Sequence, residues 1–291
     1  MDNAHAQIRA LPIWNGPVNI EPLGGGLTNL NFVVTDGSRR YVARLGQDIP
    51  EHHVMRFNEL AASRAAHAAG LSPAVIHAND GITVIEFIEA RTYSEADIRA
   101  PGALERIVPL LKTCHVEVPK HLRGPSLIFW VFHVIRDYAA TLSDGDSTHM
   151  PLLTELLAIA EVLEVAAGPF DIVYGHNDLL AANIMDDGDR LWLIDWDYAG
   201  YNSPLFDLGG LASNNGLTPA QERHMLELYF ETPVTDSLLI RYGAMKCASL
   251  LRETMWSMVS ELTSTLDVDY AAYTRENLNR FRQTHADYLL I

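Results

Sequence analysis

The sequence predicts an α+β fold with two lobes: an N-terminal antiparallel sheet with one helix, and a larger, mainly helical C-terminal lobe. Two observations lead to this prediction. Alternating apolar and polar residues, typical of half-buried strands, are concentrated in the first ninety residues. Beyond Ser94 the apolar residues recur at helical intervals, and only short strand-like runs interrupt them.

The N-terminal part predicts the order β-β-β-α-β-β. The five strand-like runs are VNIEPL, LNFVVTD, RRYVARL, AVIHA and ITVIEFI. Asp36-Gly37, between the second and third runs, is a hairpin-turn dipeptide, so we expect antiparallel pairing. An alanine-rich helix is predicted from Glu51 to Ala69, because Gly70 follows as a stop signal.

The C-terminal part is predicted to be helical with three strand-like runs. Helices are expected in ALERIVPLLKTCHVEV and LIFWVFHVIRDYAATL, and near residues 152–166, 219–231, 236–262 and 269–288. The strand-like runs are DIVYG, NIMDD and RLWLIDW. We place the boundary between the lobes at Glu86 to Ala90, which gives an N-terminal lobe of residues 1–88 and a C-terminal lobe of residues 89–291.

Composition and charge exclude several classes of protein. With 48% hydrophobic and 20% charged residues the chain is globular, and its longest apolar runs are shorter than the roughly 20 residues of a membrane span. A formal charge of −16 argues against a nucleic-acid surface. Cys114 and Cys247 form no CxxC pair, and the first residues lack a secretory-signal pattern, so we expect a cytoplasmic protein. The oligomeric state stays open, a homodimer included.

A group of polar residues at fixed spacing lies in YGHNDLLAANIM, residues 174–185. The pattern is His176-x-Asp178-x-x-x-x-Asn183. Asp195 comes twelve residues after Asn183, directly behind the strand-like run RLWLI. A short hairpin through DDGD would bring Asn183 and Asp195 together. Oxygen donors in so small a number suit Mg²⁺, which takes its other ligands from water and phosphates. Asp178 could then accept a proton from an attacking hydroxyl, so the pattern predicts phosphoryl transfer.

Two features upstream could hold a nucleotide. In LGGGLTN, residues 23–29, glycines would let backbone N–H groups approach a polyphosphate; the binding residues expected in this loop are Gly25, Gly26, Thr28 and Asn29. Arg44 could pair with Glu59 and point its guanidinium at the phosphates. Alone, each feature is more often a flexible turn or an incidental ion pair, and their order along the chain is what supports them.

That order resembles the protein-kinase-like fold. In detail, HNDLLAANIM, LIDWDYAG and YNSPLFDLGGLASNNGL resemble the choline/ethanolamine kinase branch of the aminoglycoside-phosphotransferase-like enzymes. The resemblance covers nearly the whole chain, from EPLGGGLTN to the last predicted helix. It implies ATP and Mg²⁺ as cofactors and a small molecule as the substrate.

The resemblance also implies a role for individual residues. Asp178 corresponds to the catalytic base, while Asn183 and Asp195 correspond to the Mg²⁺ ligands. Arg44 stands where protein kinases have a lysine, as it does in choline kinases. The hinge residues Glu86, Phe87 and Ile88 would bind adenine through their backbone.

Other implied roles and departures concern the surroundings of the catalytic residues. His176 would support the loop without transferring protons, and Asp207 would brace it. Asn177 replaces the arginine of the protein-kinase HRD motif, and neither an APE segment nor an activation loop is found. Protein substrates are therefore not expected.

The expected acceptor is a small cationic alcohol, with choline favoured. A quaternary ammonium needs aromatic faces and nearby carboxylates. The aromatic candidates are Trp196, Tyr198, Tyr201, Tyr242 and Trp256. Asp197 could add negative charge, and Asp178 would contact the hydroxyl. RETMWSMVSE has one tryptophan where choline kinases often carry two, so ethanolamine, thiamine and aminoglycosides remain alternatives, as does a pseudokinase that only binds ligands.

Overall fold

The computed structural model describes residues 2–24 and 29–290. Its N-terminal part is a five-stranded sheet made of β1 (Asn19–Leu23), β2 (Leu30–Asp36), β3 (Arg39–Leu45), β4 (Val75–Asn79) and β5 (Ile82–Glu86). The strands lie in the order β1-β2-β3-β5-β4, and every neighbouring pair is antiparallel. The antiparallel sheet predicted from the alternating pattern is confirmed.

Two helices accompany this sheet where the sequence predicts one: α2 (Arg56–Ala68) is the predicted helix, and α1 (Asp2–Arg9) was not predicted. The prediction that the second helix starts at Glu51 is wrong. Pro50–His52 form a separate 3-10 turn, and His53 ends it with a left-handed backbone at φ 60°. A left-handed residue cannot continue a right-handed helix, so α2 begins only at Arg56.

The C-terminal part is mainly helical. Its helices are α3 (Glu95–Ile98), α4 (Ala103–His121), α5 (Val131–Asp144), α6 (Met150–Ala167), α7 (Pro204–Asn215), α8 (Pro219–Phe230), α9 (Asp236–Thr263) and α10 (Tyr270–Tyr288). The short strands are β6 (Arg91–Thr92), β7 (Val173–Gly175), β8 (Ile184–Asp186), β9 (Leu191–Leu193) and β10 (Gly200–Asn202). Strands β6, β8 and β9 form one small sheet, and β7 pairs with β10.

One helix boundary in this part differs from the prediction. The helix expected in LIFWVFHVIRDYAATL begins only at Val131, because Ile128 forms a β-bridge with Tyr201. The apolar run therefore changes from extended to helical conformation in its middle, which periodicity over so short a stretch cannot indicate.

Two clusters of buried apolar side chains hold the fold together. The smaller cluster lies against the sheet and includes Phe32, Val34 and Val84. The larger cluster fills the helical part, and it also takes in Ala62 and Ala66 of α2. Helix α2 lies between strands β3 and β4 in the chain, but its buried side chains pack on the helical part. The predicted two-lobed α+β architecture is confirmed, and no described helix has the length and apolar character needed to cross a membrane.

Helices α7 and α9 approach each other closely at Gly209. A Cβ atom there would lie 2.8 Å from Cα and 2.9 Å from N of Lys246. We expect Gly209→Ala to lower the free energy of unfolding by about 1–3 kcal/mol, because backbone atoms must move apart. Gly210→Ala is the matched control: its Cβ would lie 3.4 Å from Ser249 Oγ, an ordinary contact, so we expect stability to change by no more than about 1 kcal/mol. Urea unfolding of both variants tests this, and equal losses would contradict it.

Candidate active site

The predicted hairpin between Asn183 and Asp195 is confirmed. Strands β8 and β9 pair antiparallel with Ile184 opposite Leu193. Just beyond this pair, the Ile194 N–H donates to the Asn183 carbonyl at 3.0 Å. Asn183 and Asp195 therefore lie at neighbouring positions at the open end of one hairpin.

Arg44 connects this hairpin to the N-terminal sheet. Its Nη2 atom donates to Asp195 Oδ1 at 2.7 Å and lies 3.3 Å from Glu59 Oε1 and 3.2 Å from Asp197 Oδ1. The Arg44–Glu59 pair predicted from the sequence is confirmed as a contact. Asp195 is a closer partner, however, and the neighbouring carboxylates hold the pKa of the buried Arg44 above its usual value, although burial itself lowers it.

Carboxylates outnumber guanidiniums in this cluster. Arg56 Nη1 lies 2.7 Å from Glu59 Oε2 and 3.1 Å from Asp197 Oδ1, so two arginines face three carboxylates among the described residues. Burial, followed by the charges of Asp195 and Glu59, raises the pKa of Asp197 to about 8. A carboxyl group with a pKa raised in this way is mostly protonated near neutral pH, and a cation bound beside it would favour its ionised form.

The donor set fits Mg²⁺. Asn183 Nδ2 donates to the backbone carbonyl of Asp178 at 2.9 Å, which leaves the amide oxygen available. Asp195 keeps one carboxylate oxygen beyond its bond to Arg44 and is 29% exposed. Within residues 2–24 and 29–290 no three His, Cys, Asp or Glu side chains converge on a metal position. Two protein oxygens with the remaining positions left to water and phosphate match the preference of Mg²⁺.

Asp178 lies next to these oxygens. Its Oδ2 atom is 3.4 Å from Asn183 Nδ2, and its side chain is only partly buried. Burial raises the pKa of Asp178 to about 7, with Arg252 opposing the rise and Glu253 and Asp195 adding to it. A carboxyl group with a pKa near neutrality can take up a proton during a reaction and release it afterwards.

Asp207 braces the loop that carries Asp178. Its two oxygens accept the backbone N–H groups of His176 at 2.8 Å and Asn177 at 2.7 Å, and His115 Nε2 lies 3.0 Å away. Asn177 is held at φ 64°, a conformation that few non-glycine residues adopt. His176 Nε2 bonds to the Ile194 carbonyl at 2.9 Å, so it ties the loop to the hairpin. His176 and Asp207 thus make hydrogen bonds of the kind that their expected supporting roles require.

The predicted nucleotide loop is described only in part. Gly25, Gly26 and Thr28 lie outside the described residues. Asn29 Nδ2 donates to Asp197 Oδ2 at 3.3 Å, which brings the end of this loop to the charged cluster.

The hinge segment follows β5. The N–H groups of Glu86 and Phe87 donate to the carbonyls of Ala74 and Arg40, at 2.9 and 3.3 Å. These two N–H groups are thus used within the protein. Of the three predicted hinge donors, only Ile88 has an N–H without such a bond among the described contacts.

The structure does not bring all the predicted aromatic residues together. Trp196 Nε1 donates to Ser72 Oγ at 2.8 Å, and the ring lines the cleft next to Arg44. Tyr201 packs on Tyr174, and Tyr242 Oη donates to Glu222. The contacts described for these three side chains are with other residues, and not with the pair formed by Tyr198 and Trp256.

Tyr198 and Trp256 do meet, and they do so among charged residues that the sequence analysis missed. Trp256 Nε1 donates to Tyr198 Oη at 2.8 Å. The Arg252 guanidinium lies 4.2 Å from the Tyr198 ring centroid and 3.0 Å from Glu253 Oε2. His52 lies 4.9 Å from Trp256, centroid to centroid. The sequence did contain a signal for these residues: Arg252 and Glu253 are consecutive charged residues in a mainly apolar part of the predicted helix.

Comparisons with known proteins identify relatives of this chain. The family model described as choline/ethanolamine kinase matches residues 20–217. A probable ethanolamine kinase of Arabidopsis thaliana is 27% identical over 91% of this chain and 79% of its own length. A choline/ethanolamine kinase family protein of Mesorhizobium loti has a TM-score of 0.79 and 28% identity, covering 97% of this chain and 94% of its own. A spectinomycin phosphotransferase, solved with ADP and spectinomycin, shares the fold with a TM-score of 0.61 and 15% identity over 92% of this chain and 93% of its own.

The bracing by Asp207 can be tested through stability. Asp207→Ala leaves two buried backbone N–H groups and His115 without their acceptor, so we expect the free energy of unfolding to fall by about 3 kcal/mol. Asp207→Asn, which keeps one acceptor oxygen, should lose less. The control is Asp171→Ala at an exposed position, expected within about 0.5 kcal/mol of wild type. Urea unfolding measures all three, and a stable Asp207→Ala would contradict the bracing role.

Proposed function

We propose that this chain, which belongs to the choline/ethanolamine kinase family, transfers the γ-phosphoryl group of ATP to the hydroxyl of a small amino alcohol. The observation that carries the proposal is the group formed by Asp178, Asn183 and Asp195. A carboxyl group of raised pKa lies 3.4 Å from an amide whose oxygen is free, and a partly exposed carboxylate follows two residues after the adjoining strand β9. Phosphoryl transfer needs these three groups close together.

Asp178 acts on the acceptor. It orients the hydroxyl toward the γ-phosphorus and takes the hydroxyl proton as the new P–O bond forms. The pKa of about 7 supports this role, because the carboxylate form is then abundant near neutral pH while proton uptake remains favourable. Asp207, Asn177 and His176 hold the loop and take no part in proton transfer.

The N-terminal lobe, residues 1–88, holds the nucleotide. Adenine bonds to the hinge through the Ile88 N–H, since those of Glu86 and Phe87 already have partners. Gly25, Gly26, Thr28 and Asn29 are the residues proposed to bind the phosphates. Arg44, fixed by Glu59, directs its charge at them.

Asn183 and Asp195 would hold Mg²⁺, which would supply positive charge to neutralise the transferred phosphoryl group. Asp195 must then share its carboxylate between the ion and Arg44. Its pKa supports this: although burial raises it, the charge and hydrogen bond of Arg44 prevail and hold it below the usual range, so it remains ionised. The bound ion would also favour the ionised form of Asp197, whose pKa is raised by burial and by the neighbouring carboxylates.

The acceptor carries a cationic amine, because the carboxylate of Glu253 lies near the base and could pair with the amine. Glu253 lies close enough to raise the pKa of Asp178 through its charge. Choline is the acceptor favoured by the sequence, and the family name covers both choline and ethanolamine. Thiamine and aminoglycosides are the remaining alternatives.

The test of the function is ADP release from ATP and Mg²⁺ with choline, ethanolamine, thiamine or kanamycin. We expect release with choline or ethanolamine, loss of release when EDTA removes Mg²⁺, and little release with kanamycin. A chain that binds ATP yet releases no ADP with any acceptor would be a binding protein, contrary to the proposal.

The role of Asp178 is tested by Asp178→Asn. Replacing the base with an amide should lower kcat by about 10²- to 10⁴-fold while the Kd for ATP stays unchanged, because Asp178 contacts the acceptor and not the nucleotide. The matched control is Asp189→Asn, an exposed aspartate in the turn between β8 and β9, which should keep wild-type kcat. A kcat for Asp178→Asn equal to that of wild type would remove Asp178 from the mechanism.

A further inference from the structure

Arg252 lies inside the aromatic cluster beside the proposed base. It belongs to α9, and its side chain is only 5% exposed. The guanidinium carbon is 4.2 Å from the centroid of the Tyr198 ring and 5.5 Å from that of Phe129. These are cation–π distances. The faces of two aromatic rings that could receive the charged group of an acceptor are thus next to a cation of the chain itself.

The charge of Arg252 is only partly compensated. Nη1 donates to Glu253 Oε2 at 3.0 Å, and among the described residues neither Nε nor Nη2 contacts a carboxylate. A guanidinium cannot lose its charge by deprotonation in a protein. Arg252 therefore places a permanent positive charge, poorly screened by solvent, at this position.

We propose that Arg252 is a specificity-determining residue that restricts the acceptor to amino alcohols with a primary ammonium and excludes quaternary ammonium groups. The inference rests on the proposed function, because it concerns the acceptor of that reaction. It reverses the preference for choline that the sequence suggests.

The ring of Trp256 does not replace Tyr198 as an open face for a quaternary ammonium. His52 lies at 4.9 Å from it with 32° between the ring planes, and its Nε2 atom lies 3.1 Å from Ser260 Oγ, which fixes the imidazole. Tyr270 and Tyr273 meet Trp256 edge-on, at 6.0 and 6.3 Å. A quaternary ammonium has no N–H group and depends on open ring faces. Among the described residues, Arg252 lies over one face of Tyr198 and His52 over one face of Trp256.

A primary ammonium can use different partners. It carries three N–H donors, and carboxylates accept them. Glu253 is 21% exposed; its Oε1 accepts from Tyr273 Oη at 2.7 Å and its Oε2 accepts from Arg252. Because a carboxylate has about four lone-pair positions, Glu253 retains room for a further donor. Methylation of the amine would remove these bonds one by one and bring methyl groups toward Arg252.

The first experiment measures kcat/KM of the wild-type protein for ethanolamine, N-methylethanolamine, N,N-dimethylethanolamine and choline. We expect a stepwise fall, mainly through a rising KM, with choline at least about ten-fold below ethanolamine, the size of one desolvated cation–π contact. Choline equal to or better than ethanolamine would overturn the proposal.

The second experiment replaces the charge. Arg252→Met should raise the choline-to-ethanolamine ratio of kcat/KM by about ten-fold, whereas Arg252→Lys should retain the wild-type ratio because it keeps a cation. Arg241→Met is the matched control on the same helix, since Arg241 bonds to the carbonyls of Ala167 and Pro169 away from the site. A folded Arg252→Met with the wild-type ratio would refute the assignment. If Arg252→Met does not fold, the methylation series and Arg252→Lys decide.

A third measurement distinguishes failure of this inference from failure of the proposed function. Calorimetry with Asp178→Asn and a non-hydrolysable ATP analogue gives the Kd of each amine without turnover. Tighter binding of ethanolamine than of choline supports the specificity role even if no acceptor is phosphorylated by the wild type. Equal binding, or binding of neither amine, overturns it even if ADP release is observed.

Discussion

The ion pair between Arg44 and Asp195 is the contact on which the rest of the site depends. It joins β3 of the sheet to the end of β9, at 2.7 Å between Nη2 and Oδ1. Glu59 adds α2 to the same guanidinium. A buried guanidinium is tolerated only when carboxylates compensate its loss of hydration, so these elements must assemble together. The geometry between the N-terminal sheet and the hairpin of β8 and β9 is thereby tied to one charge cluster.

A second constraint holds the catalytic loop in its shape. Asp207, in the first turn of α7, accepts two consecutive N–H groups of the loop, and Asn177 and Asp195 both have positive φ values. Non-glycine residues with such backbone angles persist where surrounding contacts impose them. Here Asn177 Nδ2 also donates to the carbonyls of Tyr198 and Gly200, at 2.9 and 3.2 Å. Loop, hairpin and α7 therefore determine one another's positions, and the polar residues of the site are fixed by backbone contacts.

The sequence predicts the parts of the site that depend on short-range spacing. Asn183 and Asp195 come together through a hairpin with a recognisable turn, and the strands and most helices follow from apolar periodicity. Spacing does not decide which ring faces which neighbour over long range. Trp196 and Tyr198 are two residues apart, yet one bonds to Ser72 and the other accepts from Trp256. The start of α2 was also missed, because the left-handed His53 has no marker in its residue type.

Counting aromatic residues is a poor guide to a cation site, since an aromatic face can bind a cation of the protein just as it binds one of the substrate. Arg252 and Arg44 illustrate the two outcomes for a buried guanidinium. Arg44 contacts three carboxylates, whereas Arg252 contacts one and two aromatic rings. The first arrangement gathers three carboxyl groups around one guanidinium, which suits a metal ion. The second sets the Arg252 charge against the single carboxylate that it contacts, so an amine that approaches Asp178 must bring N–H donors for Glu253 to offset the repulsion from Arg252. The acceptor preference is then a property of the local charge balance.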